Sequence, residues 1–291
     1  MGRLPGGGGL ETSPGGSNGR MAESTPMNGT GRPDPIATLV LPAYNAAAFI
    51  TGTLERLHGF VETHRDWRVL FVCDGCTDAT PTILTGACAS TPGIEVRIHS
   101  TNRGKGHAIR SGFNAVATPY LVFTDADLAY DPEEACRIVA LLQDGADLVV
   151  ANRASPDSRY WISPRDFPSI YRRHFLSRAY NAWARRMLPI QVHDTQAGLK
   201  GLTRAAWTRL APWLTVDGFA FDVELLARAG QSGLRIVETP VSFRYVDQTT
   251  VVMLRHGWQM FFAVLRLRRA LRQRPIGARE PAASLTGPGP A

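Results

Sequence analysis

Six short apolar runs, set among stretches of helical spacing, constrain this chain more than any other feature. They are Ala37 to Leu41, Val69 to Cys73, Glu95 to His99, Tyr120 to Thr124, Asp147 to Ala151 and Arg235 to Glu238. Between them, apolar residues recur at helical intervals, as at Ala108, Phe113 and Val116, or Ala135, Ile138, Leu141 and Leu142. Short apolar strands alternating with amphipathic helices predict an α/β fold, a mainly parallel sheet covered by helices on both faces. In such sheets ligands gather at the carboxyl ends of the strands, so the residues that follow each run are the first candidates for function.

The flanks differ in kind. Residues 1–33 are rich in Gly, Ser and Pro without apolar periodicity, too little to offset the entropy of ordering, and are expected to be disordered. The α/β domain is expected over residues 34–246, a basic amphipathic helical extension over 247–275, and a flexible tail over 276–291. A composition of 44% hydrophobic and 20% charged residues with four Cys excludes both a wholly disordered chain and a disulfide scaffold. The longest uncharged run, Ile36 to Leu54, is interrupted by Pro42, Tyr44, Asn45 and Gly52, so it reads as strand, turn and helix rather than a membrane span. No apolar core follows Arg3, which argues against a signal peptide, and a cytoplasmic location is expected. The formal charge is +7, almost all of its positive side arginine, because Lys105 and Lys200 are the only lysines. Such a balance suits nucleic acid, an anionic membrane or a phosphorylated substrate, and separates none of them.

Four of the runs end in chemistry. Pro42-Ala43-Tyr44-Asn45 follows the first, Asp74-Gly75-Cys76-Thr77-Asp78 the second, Asn102-Arg103-Gly104-Lys105-Gly106 the third and Asp125-Ala126-Asp127 the fourth. Singly, each has a plain reading: Asp74 and Thr77 suit a helix cap, and Gly104-Lys105-Gly106 suits a turn. The latter lacks the Ser or Thr of a P-loop and is not a complete dinucleotide fingerprint. Asp125 and Asp127 are sharper. Two carboxylates at i and i+2 leaving a buried strand point to one side and suit a hard divalent cation that completes its shell with water and phosphate oxygens. Cys73 and Cys76 form a Cys-x-x-Cys, yet no second pair accompanies them and Cys88 and Cys136 lack ligand spacing, so buried or neutral thiols are expected there.

Taken together, the four strand-end motifs resemble family 2 glycosyltransferases of the GT-A fold. His193-Asp194-Thr195-Gln196-Ala197-Gly198-Leu199-Lys200 and Phe221-Asp222-Val223-Glu224-Leu225-Leu226 resemble the polyprenyl-phosphate hexosyltransferase branch, most of all dolichyl-phosphate β-glucosyltransferases. The resemblance implies that Pro42, Tyr44, Asn45 and Asp74 hold the nucleotide, with Asp74 toward the base and ribose, and that Arg103 and Lys105 lie near the diphosphate. It also implies that Asp125 and Asp127 hold Mg²⁺ or Mn²⁺, with Asp127 counted among the catalytic residues, and that Asp194, Gln196 and Lys200 line the sugar and acceptor region. Asp222 and Glu224, at i and i+2, cannot share one helical face. One is expected to look into the site and the other to make a structural contact, with Asp222 preferred as the acceptor-side catalytic group. Cys76 departs from the usual Ser, and the pattern after Val241-Ser242-Phe243-Arg244 dissolves into Gln248-Thr249-Thr250-Val251.

Two basic stretches bear on the acceptor. Pro168 to Met187 carries Arg172, Arg173, Arg178, Arg185 and Arg186 among Tyr171, Phe175, Tyr180 and Trp183, with no acid. Arg255 to Arg274 carries six arginines beside Leu254, Trp258, Phe261, Phe262, Leu265 and Leu267. A basic amphipathic helix of this kind suits an anionic membrane surface. No nucleic-acid motif accompanies either stretch, and no nucleic-acid partner is expected. The expected reaction is inverting transfer of a hexose from UDP-glucose or GDP-mannose to polyprenyl phosphate by a peripheral enzyme. Two alternatives stand beside it: a soluble hydroxyl acceptor with the same donor chemistry, and a non-catalytic nucleotide-sugar or lipid-binding module.

Overall fold

In the computed structural model the described residues are 32–161, 178–244 and 253–273, with side chains described from 261 onward in the last segment. The expectations for residues 1–31 and 274–291, for Tyr171, Arg172, Arg173, Phe175 and Gln248–Val251, and for the side chains of Leu254, Arg255 and Trp258, lie outside them. The compact unit begins at Pro35.

All six apolar runs are strands. They form β1 (Ala37–Ala43), β2 (Trp67–Asp74), β3 (Ile94–His99), β4 (Tyr120–Phe123), β5 (Leu148–Asn152) and β8 (Ile236–Pro240). Two short strands, β6 (Arg159–Trp161) and β9 (Ser242–Arg244), make a separate two-stranded sheet. The main sheet has seven strands in the order β3-β2-β1-β4-β7-β5-β8. Every pairing in it is parallel except those of β7 (Lys200–Thr203), which runs antiparallel between β4 and β5. Sequence reasoning missed β7 because Lys-Gly-Leu-Thr is neither an apolar run nor an alternation. It lies inside the sheet with a buried lysine that is paired rather than solvated.

Helices α1 (Ile50–Thr63), α2 (Thr80–Ser90) and α4 (Glu133–Gln143) pack with one face of the sheet, where Leu57, Phe71, Val122 and Ile138 share a core. Across the sheet, α3 (Lys105–Ala115), α5 (helical over 178–187), α6 (Arg204–Leu210) and α7 (Phe221–Gln231) build a second core with Val40, Val72, Phe113, Phe123, Trp207 and Phe221. Thr203 caps α6 by accepting the backbone N–H of Ala206 at 3.1 Å. Strand residues alternate between the two cores with the period of two that a pleated strand imposes: Leu39 and Leu41 join the first, Val40 the second.

The basic C-terminal stretch forms α8 (Met253–Gln273). Val264, Leu267 and Leu271 recur on one side and are buried in the second core, which makes α8 an integral layer of the domain. Phe261 stacks on Trp183 of α5 with ring centres 4.4 Å apart, and Gln231 Nε2 of α7 donates to the Leu271 carbonyl at 3.1 Å. The other side exposes Phe262, Leu265, Arg266, Arg269 and Arg272. No helix among the described residues is long and apolar enough to cross a membrane.

Candidate active site

The loops after β1, β2, β3 and β4 meet at the carboxyl edge of the parallel strands. Asn45, in the left-handed region with φ 48°, accepts the Thr77 N–H on its Oδ1 at 2.8 Å and ties the first loop to the second. Asp78 and Thr80 complete that tie by accepting the backbone N–H groups of Ala47 and Ala46. Asp74 is buried at the end of β2, and its Oδ2 accepts from the backbone N–H groups of Arg103 and Gly104. Gly104 sits at φ 111°, and a Cβ there would meet the Asp217 carbonyl, so glycine is required for α3 to begin where it does. Arg103 and Tyr44 are exposed, Pro42 half-buried within β1.

Beyond β4 the chain turns tightly, with Leu128 N bonded to the Asp125 carbonyl and Leu128 itself at φ 46°. Helix α1 holds this turn from behind. Thr53 Oγ1 donates to the Ala126 carbonyl and Arg56 to that of Leu128, each at 2.8 Å. Asp125 is 42% exposed at its side chain. Asp127 is more enclosed, and burial together with the neighbouring Asp125 charge pushes its carboxyl up to about 6. Gly198 lies against Asp125, where a Cβ would overlap Oδ2. Two neighbouring hard carboxylates, and a space kept clear by glycine, fit a divalent cation of the Mg²⁺ or Mn²⁺ kind.

Strand β7 and helix α7 bring the second half of the site to the first. Lys105 Nζ lies 2.7 Å from Asp125 Oδ1 and 3.5 Å from Asp222 Oδ2. Lys200, with no exposed surface, donates from Nζ to Asp222 Oδ1 at 2.6 Å and also to the Ala197 carbonyl. The result is an alternating chain of charges, Asp125–Lys105–Asp222–Lys200, drawn from the turn after β4 and from α3, α7 and β7. Burial would raise the Asp222 carboxyl, but Lys105 and Lys200 overcome it and hold the group below the usual carboxylate range. Burial pulls the Lys105 ammonium down, yet Asp125 and Asp222 carry it above the ordinary lysine value. For Lys200 burial prevails over the pull of Asp222, and its ammonium lies below that value. Glu224, on another face of α7, accepts from Thr215 and from the Val216 N–H at 2.7 Å, a structural contact. Of the two acids on α7, then, Asp222 faces the charged cluster.

Asp194 and Gln196 lie nearby but do not join this chain of charges. Asp194 receives Arg153 through Nε and Nη2 at 2.7 and 3.0 Å, and that partner outweighs burial to lower its carboxyl. The Gln196 N–H donates to Asp194 Oδ1 at 3.2 Å. Arg153, Arg56 and Gly198 were not anticipated as contributors. Arg153 follows Asn152 at the end of β5, so the strand-end rule reaches it when extended to the fifth run. Nothing local distinguishes Arg56 from any exposed helix arginine. All four cysteines are free but only Cys73 is buried, where burial, then Cys76, pushes its thiol up to about 12.

The family model described as glycosyl transferase family 2 matches residues 38–208. The chain is 32% identical over 263 residues to glycosyltransferase AglD of Haloferax volcanii, covering 88% of this chain but only 40% of that protein. It is 29% identical to the polyprenol monophosphomannose synthase of Mycolicibacterium smegmatis, over 74% of this chain and 79% of the relative. A dolichyl-phosphate beta-glucosyltransferase of Drosophila melanogaster is 31% identical, over 72% and 67% respectively. Among solved structures, glucosyl-3-phosphoglycerate synthase from Mycobacterium tuberculosis, in complex with Mn²⁺ and UDP-glucose, superposes with a TM-score of 0.59 at 21% identity. That match covers 82% of this chain and 79% of the other and bears out the GT-A fold.

Proposed function

The chain belongs to glycosyl transferase family 2, and from that premise we propose that it transfers a hexose, with inversion, from a nucleotide-diphosphate sugar to polyprenyl phosphate. The observation that carries the reading is the convergence of Asp125, Asp127, Lys105, Asp222 and Lys200 at one strand edge, with Asp125–Lys105 at 2.7 Å and Lys200–Asp222 at 2.6 Å. In this reaction an acceptor phosphate oxygen attacks the anomeric carbon as its bond to the donor diphosphate breaks. The nucleoside diphosphate leaves with the bonding pair. Asp125 and Asp127 would hold Mg²⁺ or Mn²⁺, which supplies charge neutralisation to the departing diphosphate.

Lys105, 11% exposed and fixed between two carboxylates, adds a positioned positive charge beside the leaving group. Asp222 sets the places of Lys105 and Lys200. A general base works best with a pKa near the working pH, and a carboxyl held low by two ammonium groups is a poor one. A phosphate acceptor needs none, because its second pKa near 6 leaves it largely dianionic at neutral pH. The state of Asp222 therefore favours a phosphate over a hydroxyl acceptor. Arg153, held by Asp194, supplies a further cation on the acceptor side.

The relatives named for dolichyl-phosphate glucose and polyprenol-phosphate mannose transfer support the lipid class and leave two sugars, glucose first and mannose next. For location we propose peripheral attachment at the cytoplasmic membrane face, supported by the exposed Arg and apolar side of α8 and by four free thiols.

The deciding assay follows radiolabel from UDP-glucose and, separately, GDP-mannose into organic-extractable polyprenyl phosphate with Mn²⁺ or Mg²⁺. Label in the organic phase from one donor is the expected result and names the sugar. Metal-dependent donor hydrolysis without lipid labelling would instead give the site a soluble acceptor.

A further inference from the structure

Behind the donor loops lies a second group of ligand-capable side chains that the transfer chemistry does not use together. Asp74 ends β2, and His99 ends β3 as its direct neighbour in the parallel register. His107 projects from the first turn of α3. Asp74 Oδ1 lies 3.4 Å from His99 Nδ1, with which it shares a hydrogen bond, and 3.7 Å from His107 Nδ1, and one ligand-capable atom from each of the three residues falls within 4.8 Å of the others. We propose that Asp74 Oδ1, His99 Nδ1 and His107 Nδ1 form a binding site for a divalent transition metal of the zinc class, separate from the Asp125–Asp127 pair.

The spacing suits a shared ion. Ligands bonded at about 2.0–2.1 Å in a tetrahedron stand about 3.4 Å apart. The outer contacts that orient metal ligands are also in place. Asp74 Oδ2 is committed to the Arg103 and Gly104 N–H groups, which leaves Oδ1 turned toward the imidazoles. His99 Nε2 pairs with Ser111 Oγ at 2.9 Å, leaving Nδ1 for the ion. His107 Nδ1 is buried with no hydrogen-bond partner, an arrangement that leaves a polar atom uncompensated unless something fills the space. A cavity of about 380 Å³ lined by Arg97, His107, Arg110, Ser111 and Asn114 adjoins the group on the side of His107 and Ser111.

Chemistry separates this site from its neighbours. Imidazole nitrogens select zinc-like ions, whereas the paired carboxylates of Asp125 and Asp127 select Mg²⁺ or Mn²⁺. The other three-residue group among the described residues, His64, Glu133 and Cys136, includes an exposed carboxylate, and burial pushes its thiol up to about 12, far from the thiolate a metal requires.

The test needs no donor, acceptor or turnover. Full-length Asp127→Asn protein is titrated with Zn²⁺ by calorimetry and with Co²⁺ by visible absorption. One equivalent should bind, with a tetrahedral Co²⁺ spectrum, and His107→Ala should abolish both signals while circular dichroism shows an intact fold. Ser111→Ala should weaken Zn²⁺ by about tenfold to a hundredfold through loss of the His99 orientation. Should His99→Ala fail to fold, His107→Ala, at a half-buried position in the first turn of α3, carries the test alone. No stoichiometric binding, binding unchanged by His107→Ala, or binding lost instead in Cys136→Ser would each overturn the proposal. None of these results depends on whether the chain transfers sugar.

Discussion

At the scale of single residues, Asp222 and Asp127 face opposite environments and should answer substitution oppositely. Asp222 compensates two ammonium groups inside the protein, so Asp222→Asn leaves Lys200 buried without its charge partner. Breaking a buried pair in this way costs roughly 3–5 kcal/mol, and a fall in the denaturant midpoint at unchanged slope should register it. Asp127 is the reverse case. Its folded carboxyl, near 6, lies above the ordinary 3.8, so the folded chain holds that proton more tightly than the unfolded chain does. Ionising it costs stability at every pH above 6, less between 6 and 3.8, and nothing below. In chelator at pH 7.5, Asp127→Asn should therefore be more stable than the parent by about 3 kcal/mol, the gap closing as the pH approaches 4. The same variant should lose metal-dependent transfer, and Mn²⁺ affinity of the parent should drop as the pH falls through 6. Asp125, Asp127, Lys105 and Asp222 were legible because each stands at a strand end or in an acidic motif. The joint role of Lys200 and Asp222 was not, since a residue's partner across the fold leaves no local trace.

At the scale of elements, β7 completes the site. It carries Lys200 into the sheet between β4 and β5, and the residues leading into it press Gly198 against Asp125. A methyl group at position 198 has nowhere to go except into that carboxylate. Gly198→Ala should thus weaken Mn²⁺ binding at least tenfold while leaving the Co²⁺ signal of the Asp74–His99–His107 group intact, measured on one preparation. The parallel strands announced themselves through apolar runs, but β7 did not. Its four residues include a glycine chosen for close packing beneath Ile138 and a lysine paid for by Asp222, choices that tertiary contacts make and periodicity does not show.

At the scale of the whole molecule, charge and surface decide where the enzyme works. The apolar side of α8, first legible as a membrane-binding stripe, is partly spent on the core through Val264, Leu267 and Leu271. What remains outward is Phe262 and Leu265 among Arg266, Arg269 and Arg272. Replacing Arg266 and Arg269 together with Glu should lower partitioning onto anionic vesicles at least tenfold, and salt should remove the difference. Unchanged co-sedimentation would end a role for this face, and thermal stability should stay put because neither arginine is buried. Deleting the helix would be a poorer experiment, since it strips the second core as well. The chain's only two lysines both lie in the charged cluster, one fully buried and the other nearly so. Amine-selective acylation thus has a single kind of internal target, and its slow rate, read by mass spectrometry, becomes a clock for how often the charged cluster opens to water.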